Sequence, residues 1–460
     1  MYFKLSLRNA KRSMGDYFLY IAAMVTLLAI MQVSECLAVM GKMQAGFQTA
    51  SLPILIVIIL VILVDYVDHF MLRRRAKEFA NYLLLGMEKA KLSKLFLYEF
   101  FLIGIICFVV GAAIGLCIYA VLGITIWHRE AGTCLTDWGR SLLHTFFYFC
   151  IAERLSAFRI KEKIGRLQIR ELMHEKERSQ RMIPYGSLKI WGWGLTAGLV
   201  CFIGMMCGIV FLPADNGTFM ISFIAIPMLG TIFMFYGFLF RFLHHVRQKQ
   251  ENFLYQKNRI YMIAQMTSGS KAGIVLNSIF CICILFAVGA FVFGVVMLCP
   301  DVKIFDGENQ QWMGIMQICI CIIFIVVYFS SLSLKQVIDL KQELKNIRVV
   351  HYMGKSNREI RRVIKGEIAI RLLMPVFMAF LILLCSTPLL NLKMNQTLPN
   401  AMHNILLKSV SGFTICFLVF YGFYFLLLYR MIMHSKAAQE PHITTFNARH
   451  YRSHKINILI

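Results

Sequence analysis

Ten runs of roughly 20 predominantly apolar residues divide this chain, at 18–40, 53–72, 96–126, 138–158, 190–212, 218–240, 274–298, 313–334, 368–390 and 409–430. A helix of that length matches the hydrocarbon thickness of a bilayer. Lipid offers no partner to a bare backbone amide or carbonyl, so such runs commit the chain to helices that satisfy their own backbone. The expected fold is all-α and polytopic, with about ten transmembrane helices. Of 460 residues 58% are hydrophobic and 16% charged, against about 25% charged in soluble domains. The run at 138–158 is the most polar of the ten, since it holds Arg140, His144, Glu153 and Arg154.

The net charge of +24 raises nucleic acid as a partner, but its distribution excludes that reading. With the N-terminus inside, 41 of the 48 Lys and Arg fall on the inner side, six fall outside, and Arg154 lies within a span. That asymmetry is the positive-inside rule, and it retains the span at 138–158, whose removal would invert every later loop. Both termini are expected in the cytoplasm, with membrane lipids as surroundings and no nucleic-acid partner. Trp127, Trp138, Trp191, Trp193 and Trp312 all fall at span ends, where indole rings favour the headgroup layer. The first run is too long for a cleaved signal peptide and no cleavage pattern follows it. Cys281/Cys283 and Cys319/Cys321 have a spacing of two, which points them to different helix faces. The cysteines read as small apolar filler rather than metal ligands.

The chain repeats itself at an offset of 268 residues. Gly86 meets Gly354, Lys77 meets Lys345, Leu92 meets Ile360, Lys94 meets Arg362 and Glu99 meets Glu367. The same offset carries the span near 141 onto the span near 409. Spans 1–4 and 7–10 thus read as two copies in one orientation, with spans 5 and 6 inserted, and parallel repeats are a common way to build transporters. The expected divisions are 1–160 with a cytoplasmic element at 73–94, 161–272 for the linkers and inserted spans, 273–430 with an element at 335–366, and a tail at 431–460. In the first element Phe79, Tyr82 and Leu83 are three and four apart and share a helical face. Gly86 and Gly354 are placed to end short helices, since glycine accepts a left-handed cap. A basic helix lying on anionic headgroups would account for one such element; two at a fixed offset point to a pair of docking surfaces for a two-fold partner.

Leu5–Tyr20 (LSLRNAKRSMGDYFLY), Arg73–Phe100 (RRRAKEFANYLLLGMEKAKLSKLFLYEF) and Lys345–Glu367 (KNIRVVHYMGKSNREIRRVIKGE) resemble the FtsX-like permease superfamily of ABC transporters. Within it they are similar to the bacitracin-resistance (Bce-type) permeases of Gram-positive bacteria. The resemblance implies a bacterial cell-membrane permease for antimicrobial peptides, served by two copies of a cytoplasmic ABC ATPase that bind ATP and Mg, with no cofactor in this chain. A membrane histidine kinase is a further partner it implies. Docking of the ATPase is expected at Phe79, Tyr82, Leu83, Gly86, Met87, Glu88 and Lys89, and at Met353, Gly354, Lys355, Ser356 and Arg358. One departure matters. Bce-type permeases carry a large extracellular domain between spans 7 and 8, where this chain offers Cys299–Trp312 (CPDVKIFDGENQQW).

No GxxxxGK[ST] phosphate loop occurs; the nearest text, TSGSKAG at Thr267–Gly273, lacks the spacing. No HExxH and no GxSxG occurs either. The chain is thus expected not to be an enzyme, and energy must come from a separate subunit. Three readings remain: a permease for an amphipathic or lipid-linked substrate, a sensor reporting to a histidine kinase, and an exporter of lipids or hydrophobic small molecules. Ionisable groups in spans are costly. Glu35, Arg140 and His144 lie toward the outer ends of spans 1 and 4, and Asp65, Asp68, Glu153 and Arg154 toward the inner ends of spans 2 and 4. They read either as mutually paired or as a polar lining, and Glu35 is expected near Arg140 or His144. Gly111/Gly115, Gly194/Gly198 and Gly204/Gly208 read as close-packing pairs, and Pro375 as a kink in span 9.

Overall fold

A computed structural model describes residues 21–39, 57–58, 61–62, 76–126, 128, 130–166, 188–211, 224–249, 270–299, 307–352, 357–397 and 404–437. In chain order the helices are α1 (Ile21–Val39), α2 (Ala76–Leu84), α3 (Lys89–Thr125), α4 (Ala131–Arg166), α5 (Leu188–Phe211), α6 (Ala225–Lys249), α7 (Ser270–Leu298), α8 (Gly307–Tyr352), α9 (Asn357–Thr397) and α10 (Ile405–Ala437). The architecture is all-α, and eight of these helices, all but α2 and α4, are long and apolar enough to cross a membrane. The chain is therefore a multi-pass membrane protein. α4 has 36 residues, about 54 Å at 1.5 Å per residue, so length suffices there; its charges set it apart from the eight. The run at 53–72 lies outside the described residues except for Val57, Ile58, Val61 and Ile62.

Helix boundaries fall on the sequence offset. α2 ends at Leu84 and α8 at Tyr352, 268 residues apart; α3 begins at Lys89 and α9 at Asn357, again 268 apart. In the second copy the corresponding segment is the end of a helix that runs unbroken for 46 residues from the membrane.

α7 lies at the centre of the second group of helices, packed against α6, α8, α9 and α10, while α5 pairs with α6 and leans on α9. The two inserted helices therefore pack on the second copy. α1 is the most enclosed span, 78% buried. Glycine makes that possible: a Cβ on Gly115 would sit 2.8 Å from Gln32 Cβ and 3.0 Å from the Ala29 carbonyl, and one on Gly111 would sit 2.9 Å from Leu28 Cβ. Without side chains at those two positions the backbones of α1 and α3 approach directly. Gly198 does the same for α5 against Thr231 of α6, at 2.9 Å. Gly204 faces open space, so the third expected pair makes no such crossing there; spacing alone does not say which face a glycine pair occupies. Gly294 and Gly314 form a crossing between α7 and α8 that no GxxxG spacing announces. α9 continues through Pro375 and Pro388 as one helix. Beside the first proline, Tyr236 of α6 donates to the carbonyls of Met374 at 3.0 Å and Pro375 at 3.2 Å.

Candidate functional site

The elbow between α2 and α3 is built by a glycine. Gly86 has φ +88, and its N–H bonds the Leu83 carbonyl at 3.1 Å while the Met87 N–H reaches back to Tyr82 at 3.0 Å. This pair of bonds is the Schellman cap, which closes the orphan carbonyls of a helix end and requires left-handed backbone. Phe79 is buried, edge-on to Phe96 of α3 with centroids 5.3 Å apart, and Tyr82 and Leu83 pack partly against the same core. The shared face of Phe79, Tyr82 and Leu83 thus holds α2 onto α3 and points inward, because an apolar stripe on so short a helix is first needed to dock the helix itself. What the elbow exposes instead is Leu84 (59%) and Leu85 (84%). Glu88, Lys89 and Lys91 are exposed beside them. Lys89 Nζ donates to the Gly165 carbonyl at 3.3 Å, placing a cation at the C-terminal end of α4 where the helix dipole favours it. Lys91 pairs with Glu88 at 3.2 Å.

Of the second element, Met353, Gly354, Lys355 and Ser356 lie outside the described residues. Arg358 is exposed in the first turn of α9, and Arg361 and Arg362 are exposed in the next. One turn further, Glu367 is buried and bonded by Arg371 Nη2 at 2.8 Å. Its counterpart Glu99 is fully buried in α3.

Asp65 and Asp68 also lie outside the described residues. Glu35 is buried, with Oε2 3.6 Å from His144 Nδ1; this is the pairing expected of a carboxylate at that depth. Arg140 is exposed on α4 and not at that contact, as is Arg154. Beside the Glu35 pair, Gln32 Nε2 donates to Ser141 Oγ at 2.7 Å and Cys36 Sγ lies 3.0 Å from the same hydroxyl. Tyr119 of α3 donates to Asp137 Oδ2 at 3.1 Å. The α1–α3–α4 seam thus carries a hydrogen-bonded polar stripe. Glu153 stands apart from it. Its Oε1 lies 2.7 Å from where a Cβ on Gly104 would sit, wedged between α3 and α4.

The same two positions in the second copy also touch. Residues 104 and 153 become Leu372 and Tyr421 at the 268 offset, and Tyr421 donates to the Leu372 carbonyl at 2.7 Å. Tyr328 of α8 donates to Tyr421 at 3.1 Å, and Ser333 meets Tyr424 at 3.0 Å. Sequence reading did not single out these tyrosines, nor Leu84 and Leu85; aromatic residues at i, i+4, i+8 on an apolar span look like any buried stripe.

Residues 50–153 match a family model described as FtsX-like permease C-terminal, a segment that spans the elbow, α3 and most of α4. No curated protein matches the chain. The match, with eight apolar helices, supports a membrane-embedded permease subunit of an ABC transporter.

Proposed function

We propose that this chain is the permease of an ABC transporter that couples ATP hydrolysis in two copies of a cytoplasmic ATPase to the movement or extraction of a membrane-partitioned substrate. The observation that carries the reading is the Gly86 elbow. It rests on the inner end of α3, lies within the segment similar to FtsX-like permeases, and presents Leu84 and Leu85 to solvent among exposed lysines. Two exposed leucines beside a tight cap are suited to fill a pocket on a partner, where a few buried anchors supply most of the binding energy. The second elbow, at 353–356, is proposed to hold the other ATPase copy, with Arg358 at its edge. ATP and Mg belong to those partners.

The cargo is proposed to be amphipathic or lipid-linked. α7 and α8 are separated by residues 299–306, too few for an independent core, so a substrate is met within the outer leaflet between helices. Antimicrobial-peptide resistance in a Gram-positive cell membrane follows from resemblance, as does a histidine kinase as a second listener.

The test is co-purification with a co-expressed ABC ATPase from the same cell, followed by ATP hydrolysis in lipid nanodiscs. The pair Leu84→Asp and Leu85→Asp should leave the permease monodisperse and remove at least tenfold of the ATPase association. Cysteines at Glu88 and at Ser356 should each crosslink to the ATPase. Full ATPase association and stimulation in the Leu84/Leu85 variant would sink the docking assignment, and stimulation by a freely soluble hydrophilic peptide would sink the substrate class.

A further inference from the structure

Glu153 is a carboxyl group inside a membrane-spanning helix pair, and it has no hydrogen bond or ion pair to any described residue. It is not at the elbow and it does not belong to the Glu35–His144 stripe. Gly104 provides its space: Oε1 lies 2.7 Å from the position a Cβ would take, and the Phe149 ring closes the same site at 3.2 Å. An ionised carboxylate in such surroundings is strongly disfavoured, and a group so placed neutralises instead. The internal repeat shows what a neutral donor does here. In the second copy the corresponding residue is Tyr421, whose hydroxyl donates to the carbonyl of Leu372, the counterpart of Gly104. A carboxylic acid carries the same O–H donor; a carboxylate does not.

We propose that Glu153 is a titratable acid site of the membrane interior, held protonated as a donor toward the α3 backbone at Gly104, in the role that Tyr421 plays toward α9. Its ligands are the proton and, as a chemical consequence, hydrophobic carbodiimides. In that reaction the acid proton passes to a carbodiimide nitrogen and the carboxyl oxygen adds to the central carbon. The resulting O-acylisourea rearranges to a stable N-acylurea, with nothing oxidised and nothing lost. The titratable groups nearest to Gly104 and Glu153 along their helices are Cys107 and Glu99 on α3 and Arg154 on α4, the last exposed. Loss of the proton would place a bare negative charge against Gly104 with no donor to meet it, and would loosen the α3–α4 contact.

The experiment uses the full chain in lipid nanodiscs, treated with dicyclohexylcarbodiimide and mapped by mass spectrometry. An adduct on Glu153 is expected, forming at least fivefold faster than any on Glu88 or Glu162, with a rate that falls as pH rises. Glu153→Gln keeps the amide donor, so its thermal midpoint should stay within about 2 °C of the parent while the adduct disappears. Glu153→Tyr, which copies the second half, is the second check on folding. A Glu153 that takes no adduct at acidic pH in a folded, monodisperse sample would overturn the proposal. So would preferential modification by a water-soluble carbodiimide, which would mark a hydrated carboxyl, or a Glu153→Gln variant that unfolds, which would mark a role that a neutral donor does not fill.

Discussion

α4 and α10 occupy corresponding places in the two copies, and the faces they bury are built from different chemistry. On α4 the buried or partly buried positions are Thr145, Phe149, Glu153 and Ser156; 268 residues later α10 presents Phe413, Phe417, Tyr421 and Tyr424. The α10 set forms a continuous aromatic column. Phe413 and Phe417 stack with centroids 6.1 Å apart, Phe417 and Tyr421 at 5.4 Å, and Phe329 of α8 meets Phe417, Tyr421 and Tyr424 in turn. Offset aromatic pairs add about 0.5–1.5 kcal/mol beyond their buried area, and the hydroxyls of Tyr328 and Tyr421 tie the column to the α9 backbone. α4 has one ring at these positions; there a glycine and an acid meet, while Phe108 of α3 packs on Phe146 and Phe149 beside them. One backbone register thus serves two chemistries: a stacked, hydrogen-bonded aromatic column in the second copy, and in the first a glycine–carboxyl contact next to the polar stripe on α1. The first copy is also where the Gly86 elbow is attached, at the start of α3.

The largest effect that would break this contrast comes from giving the first copy the bulk of the second. Gly115 corresponds to Leu383. Gly115→Leu would drive a side chain into Gln32 and the Ala29 carbonyl, atoms a bare Cβ would already meet at 2.8 and 3.0 Å. Overpacking costs about 1–3 kcal/mol when side chains can yield, and more here because backbone atoms form the wall. The expected outcome is loss of the monodisperse peak on size-exclusion chromatography. Leu383→Ala, on a half-buried position, should keep that peak. Equal behaviour of the two variants would mean that α1 is not held by the α3 glycines.

A smaller effect would sharpen the comparison. Tyr421→Phe preserves the ring stack but removes a donor to Leu372 and an acceptor for Tyr328. Hydrogen bonds between membrane helices are worth about 0.6 kcal/mol on average and up to about 1.7, so two lost together should lower the thermal midpoint by several degrees. Glu153→Gln at the corresponding place should lower it by less. The reverse order would place the stiffer contact in the first copy.

The span pattern and the 268-residue offset were legible because each depends on residue type summed over long windows, and helix boundaries 268 apart follow from them. The Gly86 cap was legible because positive φ leaves few residues to choose from. The direction of α2 was not. Phe79, Tyr82 and Leu83 share a face, but periodicity says only that a face exists, and the edge-on contact with Phe96 decides that it points inward. For the same reason Gly204 looked like a packing residue and faces open space, while Gly294 and Gly314, on different helices, could not be paired from spacing. Glu35 was placed correctly by cost: a buried carboxylate needs a partner, and His144 was one of two at its depth. Glu153 and Tyr421 were not connected, because the offset relates positions while the chemistry at those positions diverged.

The smallest predicted effect concerns the two elbows themselves, and it extends the comparison to a place where the copies should agree. Gly86 adopts φ +88, and nothing lies within 4 Å of where its Cβ would be. Gly86→Ala therefore meets no steric wall, and its only cost is the left-handed backbone, about 1 kcal/mol. That should appear as a slight drop in thermal midpoint together with faster hydrogen exchange at Leu85–Met87, the amides of the cap. Met87→Ala alone should leave those amides protected, since its N–H bond to Tyr82 belongs to the backbone. Gly354 stands at the same place in a segment whose flanking helices end and begin on the 268 offset. If it caps α8 in the same way, Gly354→Ala should show the same small loss and the same exchange signature at Met353–Lys355. A Gly354→Ala variant with no change in exchange would show that the second elbow turns by another geometry, and that the two-fold match between the elbows stops at sequence.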